Sequence, residues 1–264
     1  MSEIAEPSAG LSHHVPVIDR MMEMLFVLEQ RPDGATIRDL VESLGVPRTT
    51  VYRILNTLER HDVVRRSGEG RYRLGPRLLR LAARSIGDSN GYDLAAIAAP
   101  FLKSLSAETG EGSKISVVDG EGLLVVAAAS GAREYALTVI PGQRLPLHAG
   151  AAGKTLLAHL PKDEVDRRLS RALPRHTSRT LTDPGRLRTE LARIRRQGWA
   201  QDRGEYAPGI HAFAAPILDR NATIVAALSV PFIAGATADH MERLRVAVVA
   251  TAKALSGALP RNAA

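Results

Sequence analysis

The sequence predicts an α+β protein in two domains: a small helical N-terminal domain closed by a β-hairpin, and a larger C-terminal domain of mixed strands and helices. Three observations lead there. The chain has 264 residues, long for one hydrophobic core and comfortable for two. Its first part shows apolar stripes of helical period that end in two short alternating segments around glycines. Beyond Gly87-Asp88-Ser89-Asn90-Gly91, alternating and helical periods interleave, as expected for a helix layer packed on one sheet.

Residues 1–14 read as a disordered tail, polar and acidic, without the apolar core of a signal peptide. A first helix is expected over 17–29, with Ile18, Met21, Met22, Leu25 and Phe26 on one stripe. Arg31-Pro32-Asp33-Gly34 breaks it. Thr36 caps a second helix with Asp39 three residues on, the spacing of a capping box, and Ile37, Leu40, Val41 and Leu44 form its apolar face. Gly45 ends it, and Pro47 opens a third helix (47–60), where the missing N–H costs nothing. That helix buries Val51, Ile54, Leu55 and Leu58. Residues 63–66 and 71–74 flank Ser67-Gly68-Glu69-Gly70 as a hairpin. The small domain spans 15–75, a linker helix 76–91 follows, and the larger domain covers 92–260. Its expected elements are a helix (93–109), strands (113–118, 123–128, 135–140), helices (152–159, 162–170, 184–197), strands (210–218, 223–231) and a final helix (237–259).

Composition narrows the function. With 45% hydrophobic and 24% charged residues, the chain is a folded protein rather than a disordered one. No stretch of about 18 apolar residues occurs, so no membrane span is expected. The absence of cysteine excludes disulfides and thiolate metal sites and fits a reducing cytoplasm. The net charge of +7 points to an anionic partner. It is concentrated: residues 48–84 hold ten arginines against three acids.

That basic segment coincides with a structural pattern. Periodicity alone would favour an ordinary three-helix subdomain with a surface hairpin. A short helix, a glycine turn, a second helix polar on its outer face and an arginine-bearing hairpin are together the parts of a winged helix-turn-helix. Such a helix enters the major groove with its N-terminal side chains at base edges. Arg48, Thr49, Thr50, Tyr52, Arg53 and Asn56 are the expected DNA-contacting residues there. Arg66 and Arg71 on the wing would grip phosphate or reach into the minor groove. A guanidinium suits this work because its planar fork binds phosphate or guanine bidentately.

The run TIRDLVESLGVPRTTVYRILNTLERHDVVRRSGEGRYRLGPRLLRLA resembles the winged helix-turn-helix of the IclR family of bacterial transcription regulators. Three later segments, GQRLPLHAGAAGKTLLAHLP, RTLTDPGRLRTELARIRRQGWAQDRGEYAPGIHAFAAPILD and IVAALSVPF, resemble that family's effector domain. The resemblance runs from about Val17 to Leu259. It implies a regulator of a catabolic operon that binds double-stranded, pseudo-palindromic operator DNA, self-associates as a dimer or tetramer, and carries a GAF-like effector domain for a small organic molecule. Position by position it implies Leu137, Ala151, Ala152, Asp202, Ile210, Ala212 and Ser229 as effector-binding residues. Free N–H groups at the helix start of Ala151 and Ala152 would hold a carboxylate. Ala212 stands where many members have cysteine, and Pro231 where a second serine can occur. The effector is therefore expected to be an organic acid with an apolar body.

Other chemistries find little support. Gly153-Lys154-Thr155 lacks the glycine five residues earlier that a phosphate-binding loop requires, since His148 stands there; Lys154 is then a structural or surface lysine. The histidines show no zinc spacing, and His148 and His211 are expected to be packed or interfacial. No nucleophile–base motif is present, and no cofactor or metal is expected. The alternative from another class is a hydrolase-like small-molecule enzyme whose basic segment reads no DNA.

Overall fold

The computed structural model describes residues 15–78, 81, 92–133, 136–137 and 140–260. The chain divides into two compact units, Met1–Ser85 and Ile86–Ala264.

In the first unit, α1 (Pro16–Glu29), α2 (Ile37–Leu44) and α3 (Arg48–Arg60) precede a hairpin of β1 (Val64–Arg66) and β2 (Tyr72–Leu74). The capping box on α2 is complete: Asp39 N–H donates to Thr36 Oγ1 at 3.2 Å and Thr36 N–H to Asp39 Oδ2 at 2.8 Å. These hydrogen bonds hold the Asp39 carboxyl below its ordinary range. Gly45 ends α2 at φ +62°, where a side chain would be strained. Val51, Ile54, Leu55 and Leu58 on α3 are all buried. On α1 the buried residues are Met24 and Leu28, while Ile18, Met22 and Phe26 are exposed. The inward stripe of α1 is thus rotated from the expected one, because α2 and the hairpin cover the Met24 side.

Tyr72 fills the centre of this small core. Ala35 and Tyr72 exchange two backbone hydrogen bonds, which stitch the hairpin to the segment before α2. Residues 76–78 and 81 are helical. Leu79, Ala82, Ile86 and the glycine-bounded joint at 87–91 lie outside the described residues.

The second unit is one six-stranded antiparallel sheet in the order β5-β4-β3-β8-β7-β6. The strands are β3 (Ser113–Asp119), β4 (Gly122–Ala129), β5 (Arg144–Pro146), β6 (Ala200–Arg203), β7 (Ile210–Leu218) and β8 (Ile224–Ile233). The helices are α4 (Leu94–Thr109), α5 (Ala151–His159), α6 (Lys162–Leu169), α7 (Pro184–Gln197) and α8 (Ala238–Ala258). Asp93 and Asp183 cap α4 and α7, and Gly110 and Gly198 end them in the left-handed region.

Both faces of the sheet are covered, rather than one. Leu102, Ile115, Phe213, Leu228 and Leu244 belong to the core under α4 and α8. Leu123, Leu157, Leu191, Ala214 and Ala227 belong to the core under α5–α7. Of the strand expected over 135–140, residues 136, 137 and 140 are irregular and the other three positions lie outside the described residues; the short β5 follows further on. β6 was not expected, because its four residues, Ala-Gln-Asp-Arg, carry too few apolar side chains to show alternation.

Candidate functional site

On α3, Arg48, Thr49, Tyr52, Arg53 and Asn56 are exposed and Thr50 is half-buried. The buried stripe faces the core, so these side chains can only project outward. They divide between two flanks. Thr50 and Arg53 line a groove with Val17, Ile18 and Met21 of α1, while Arg48, Thr49, Tyr52 and Asn56 lie away from it. On the wing, Arg66 is exposed and its guanidinium sits 5.8 Å from the Tyr72 ring centroid. Arg71 is half-buried and donates to Gly34 O at 3.2 Å. One donor is thereby engaged in holding the wing to the turn before α2, leaving the rest of the fork to face outward.

In the second unit, α5 begins at Gly150, at φ +85° and without a side-chain cap. Ala151 and Ala152 form its buried first turn, whose N–H groups have no carbonyl within the helix to bond. A Cβ on Gly150 would lie 3.8 Å from Asp202 Oδ2. Asp202 therefore stands directly beside the helix start. It lies on β6, paired with Ala212 of β7, and its Oδ1 accepts from Glu205 N–H at 2.7 Å. Burial pushes its carboxyl up, against that hydrogen bond and the Lys154 charge.

The remaining expected residues fall around this point. Ile210 and Ala212 are two apart on β7 and share a face. Ala212 packs into the core under α5–α7. Ser229 of β8 is 1% exposed and its Oγ has no hydrogen-bond partner among the described residues. Leu137 is half-buried in an irregular segment.

Three residues that sequence reasoning missed join them. Leu228 and Ile115 belong to the opposite core, so Ser229, Ser116 and Lys114 turn to the α5 side. Ser116 and Thr155 are 0% exposed, and both hydroxyls lack partners among the described residues. Two such hydroxyls on the sheet under α5 and a third on α5 itself are unusual, since buried polar groups are normally hydrogen-bonded. A signal was present: in Lys114-Ile115-Ser116-Val117, polar residues recur every second position within an apolar strand.

Lys154 is buried and not at the surface. Its ammonium donates to Glu205 Oε1 at 2.5 Å, Gln201 O at 3.0 Å and Glu190 Oε1 at 3.3 Å. Gly153 is required by packing, because a Cβ there would come within 2.5 Å of Pro146 O. The Gly-Lys-Thr run is thus a structural knot. His148 Nε2 pairs with Pro174 O at 2.8 Å and its ring stacks on His176. His211 points to the other face, against Phe232. Among the described residues no cluster of three or more histidines or carboxylates is placed to hold a metal, and no helix is long and apolar enough to cross a membrane.

Comparison with known proteins accounts for both units. Residues 17–68 match the IclR helix-turn-helix domain, and residues 89–257 match the C-terminal domain of bacterial IclR transcriptional regulators. The chain is 37% identical over 228 residues to an HTH-type transcriptional regulator of Mycobacterium tuberculosis, covering 86% of each protein. Among solved structures it resembles the Thermotoga maritima IclR (TM-score 0.79, 25% identity, 92% of this chain and 98% of that one). It also resembles an IclR homolog from Microbacterium hydrocarbonoxydans complexed with 4-hydroxybenzoate (TM-score 0.73, 25% identity, 92% and 98%). The enzyme alternative falls with these matches, and the chain belongs to the IclR family of DNA-binding transcriptional regulators, with an N-terminal helix-turn-helix and a C-terminal effector domain.

Proposed function

We propose that this regulator binds a pseudo-palindromic operator through α3 and the wing and is switched by a small organic acid held at the start of α5. Arg48, Thr49, Thr50, Tyr52, Arg53 and Asn56 read the major groove, and Arg66 and Arg71 hold the flanking backbone. The protein acts in the cytoplasm as a homodimer or homotetramer and controls a catabolic operon.

Two observations carry the effector half: the uncapped α5 terminus beside Asp202, and the buried Ser229 hydroxyl on the same side of the sheet, which has no hydrogen-bond partner among the described residues. Such an arrangement costs stability unless a ligand completes its hydrogen bonds. Ala151 and Ala152 offer N–H groups to a carboxylate, and Asp202 and Ser229 bond a hydroxyl or carbonyl of the ligand. Ile210, Ala212 and Leu137 supply apolar wall. The related protein complexed with 4-hydroxybenzoate supports an acid with an apolar body.

Gel shifts on the DNA upstream of the gene, with and without a panel of aromatic and aliphatic acids, test this. The expected result is specific binding whose affinity changes with one acid class by a coupling of about 1–3 kcal/mol, with operator DNA shifting acid affinity by the same factor. Binding indifferent to every acid that calorimetry shows to bind would remove the switch.

A further inference from the structure

Lys114 lies on β3, a central strand, opposite Ser229 of β8 on one side and Ala128 of β4 on the other. It faces the α5 side of the sheet and is partly buried. Directly opposed residues on neighbouring strands have Cβ atoms about 4.5–5.5 Å apart, so Lys114 adjoins the Ser229 hydroxyl. Ser116, two residues on, shares its face. The Asp202 charge on β6 acts on Lys114, and Lys154 of α5 acts in turn on Asp202.

The two lysines differ in one respect. Lys154 has three acceptors, two of them carboxylates. The Lys114 ammonium has no hydrogen bond or ion pair among the described residues. Asp202 acts on it only through space. Burial depresses the tendency of Lys114 to hold its proton, and the Asp202 charge offsets part of that. A half-buried ammonium without a partner destabilises the folded chain, and an anion that reaches it recovers the lost interaction.

We propose that Lys114 is the cation that selects an anionic effector, with the Ser116 and Ser229 hydroxyls beside it binding the same ligand. This rests on the effector reading above and deepens it. The α5 terminus contributes N–H donors, which an uncharged carbonyl could also use. Lys114 contributes the full charge that distinguishes a carboxylate from its amide. The pocket therefore takes a monocarboxylate and discriminates against the isosteric neutral compound.

The test uses the full chain as wild type, Lys114→Met and Lys114→Arg. Calorimetry is run with benzoate, 4-hydroxybenzoate and acetate, each against its amide. Thermal unfolding of the ligand-free proteins is measured in parallel. Wild type should prefer an acid over its amide by roughly tenfold or more, the scale of a charge-assisted hydrogen bond. Lys114→Met should lose that preference and Lys114→Arg should keep most of it. Ligand-free Lys114→Met should melt at or above the wild-type temperature, since it removes an unpaired ammonium while keeping an unbranched side chain.

Two results overturn the proposal: an acid-over-amide preference retained in Lys114→Met, or a ligand-free Lys114→Met that melts several degrees lower and so marks a structural lysine. If none of these acids binds, the unfolding result alone decides. Wild type that prefers acids through Lys114 while its operator affinity stays fixed would support Lys114 and reject the regulatory reading.

Discussion

The outer face of α3 and the floor beneath α5 are both polar, and they are built by opposite rules. On α3 the polar side chains are exposed and follow from helical period once Val51, Ile54, Leu55 and Leu58 are placed in the core. Beneath α5 the polar groups are buried, come from β3, β6, β8 and α5, and leave three hydroxyls without partners. Water satisfies the first set at no cost to the fold. The second set is tolerated because the apolar surroundings in the core under α5–α7 outweigh it. A surface for a large polyanion can be assembled from consecutive residues, whereas a closed site for a small ligand needs convergence from distant ones.

The sharpest way to break the buried region is Lys154→Ala. It strands the Glu205 carboxylate, whose pKa burial already raises, and removing one partner of a buried pair costs roughly 3–5 kcal/mol. Denaturant unfolding followed by far-UV circular dichroism should show that loss. A cost below about 1 kcal/mol would mean that water replaces the lysine and that this region is not closed.

On the exposed side, Arg53→Ala is expected to leave folding intact and weaken operator binding by roughly 1–3 kcal/mol, relaxing sequence preference. Arg71→Ala should weaken binding to all sequences and flatten the salt dependence. Because Arg71 also holds Gly34 O, Arg71→Lys separates the charge from that anchor. Affinity unchanged in both alanine variants, by fluorescence anisotropy at fixed salt, would move the DNA interface elsewhere.

Protonation sharpens the comparison further. The folded-state pKa of Asp202 is raised by burial, so its contribution to stability is complete below the unfolded value near 3.8 and is lost as pH rises through the folded value. Within that window one such group lowers stability by at most about 1.4 kcal/mol per pH unit. Asp202→Asn keeps the acceptor for Glu205 N–H and should remove this part of the slope. An identical pH profile in the variant would place the Asp202 carboxylate in contact with water.

The smallest effect belongs to the helix-turn-helix scaffold. Thr36→Ala removes the capping-box acceptor of α2 and should cost about 1 kcal/mol, read as a lower midpoint in urea. No loss at all would indicate that α2 is held by Leu40 and the hairpin alone.

The legible parts share a cause. Thr36, Gly45 and the α3 stripe state their structure within a few residues, because capping, left-handed turns and helical period are local. Elements in the larger unit were legible for the same reason wherever a strand or helix was long enough to show its period, as with β7, β8 and α8. β6 and β5 were too short. Tyr72 read as part of the wing, yet it anchors the small core, because its burial depends on Ala35, 37 residues earlier. Lys154 read as structural or surface, and its three partners lie on α7, β6 and the turn after β6.

By itself the sequence determined the helices, the hairpin and the outward arginines, since each follows from side-chain spacing along one element. It also carried the family resemblance across both units. The tertiary structure alone decided that the sheet is covered on both faces, and so that Ser116 and Ser229 are enclosed and Lys114 partly buried rather than solvated. The physical reason is that alternation on a strand separates two faces without saying what covers either one. Whether a lysine on such a strand is an ordinary surface cation or an unpaired charge awaiting an anion depends on the helix laid over it, which lies 37 residues away in the chain, at Ala151.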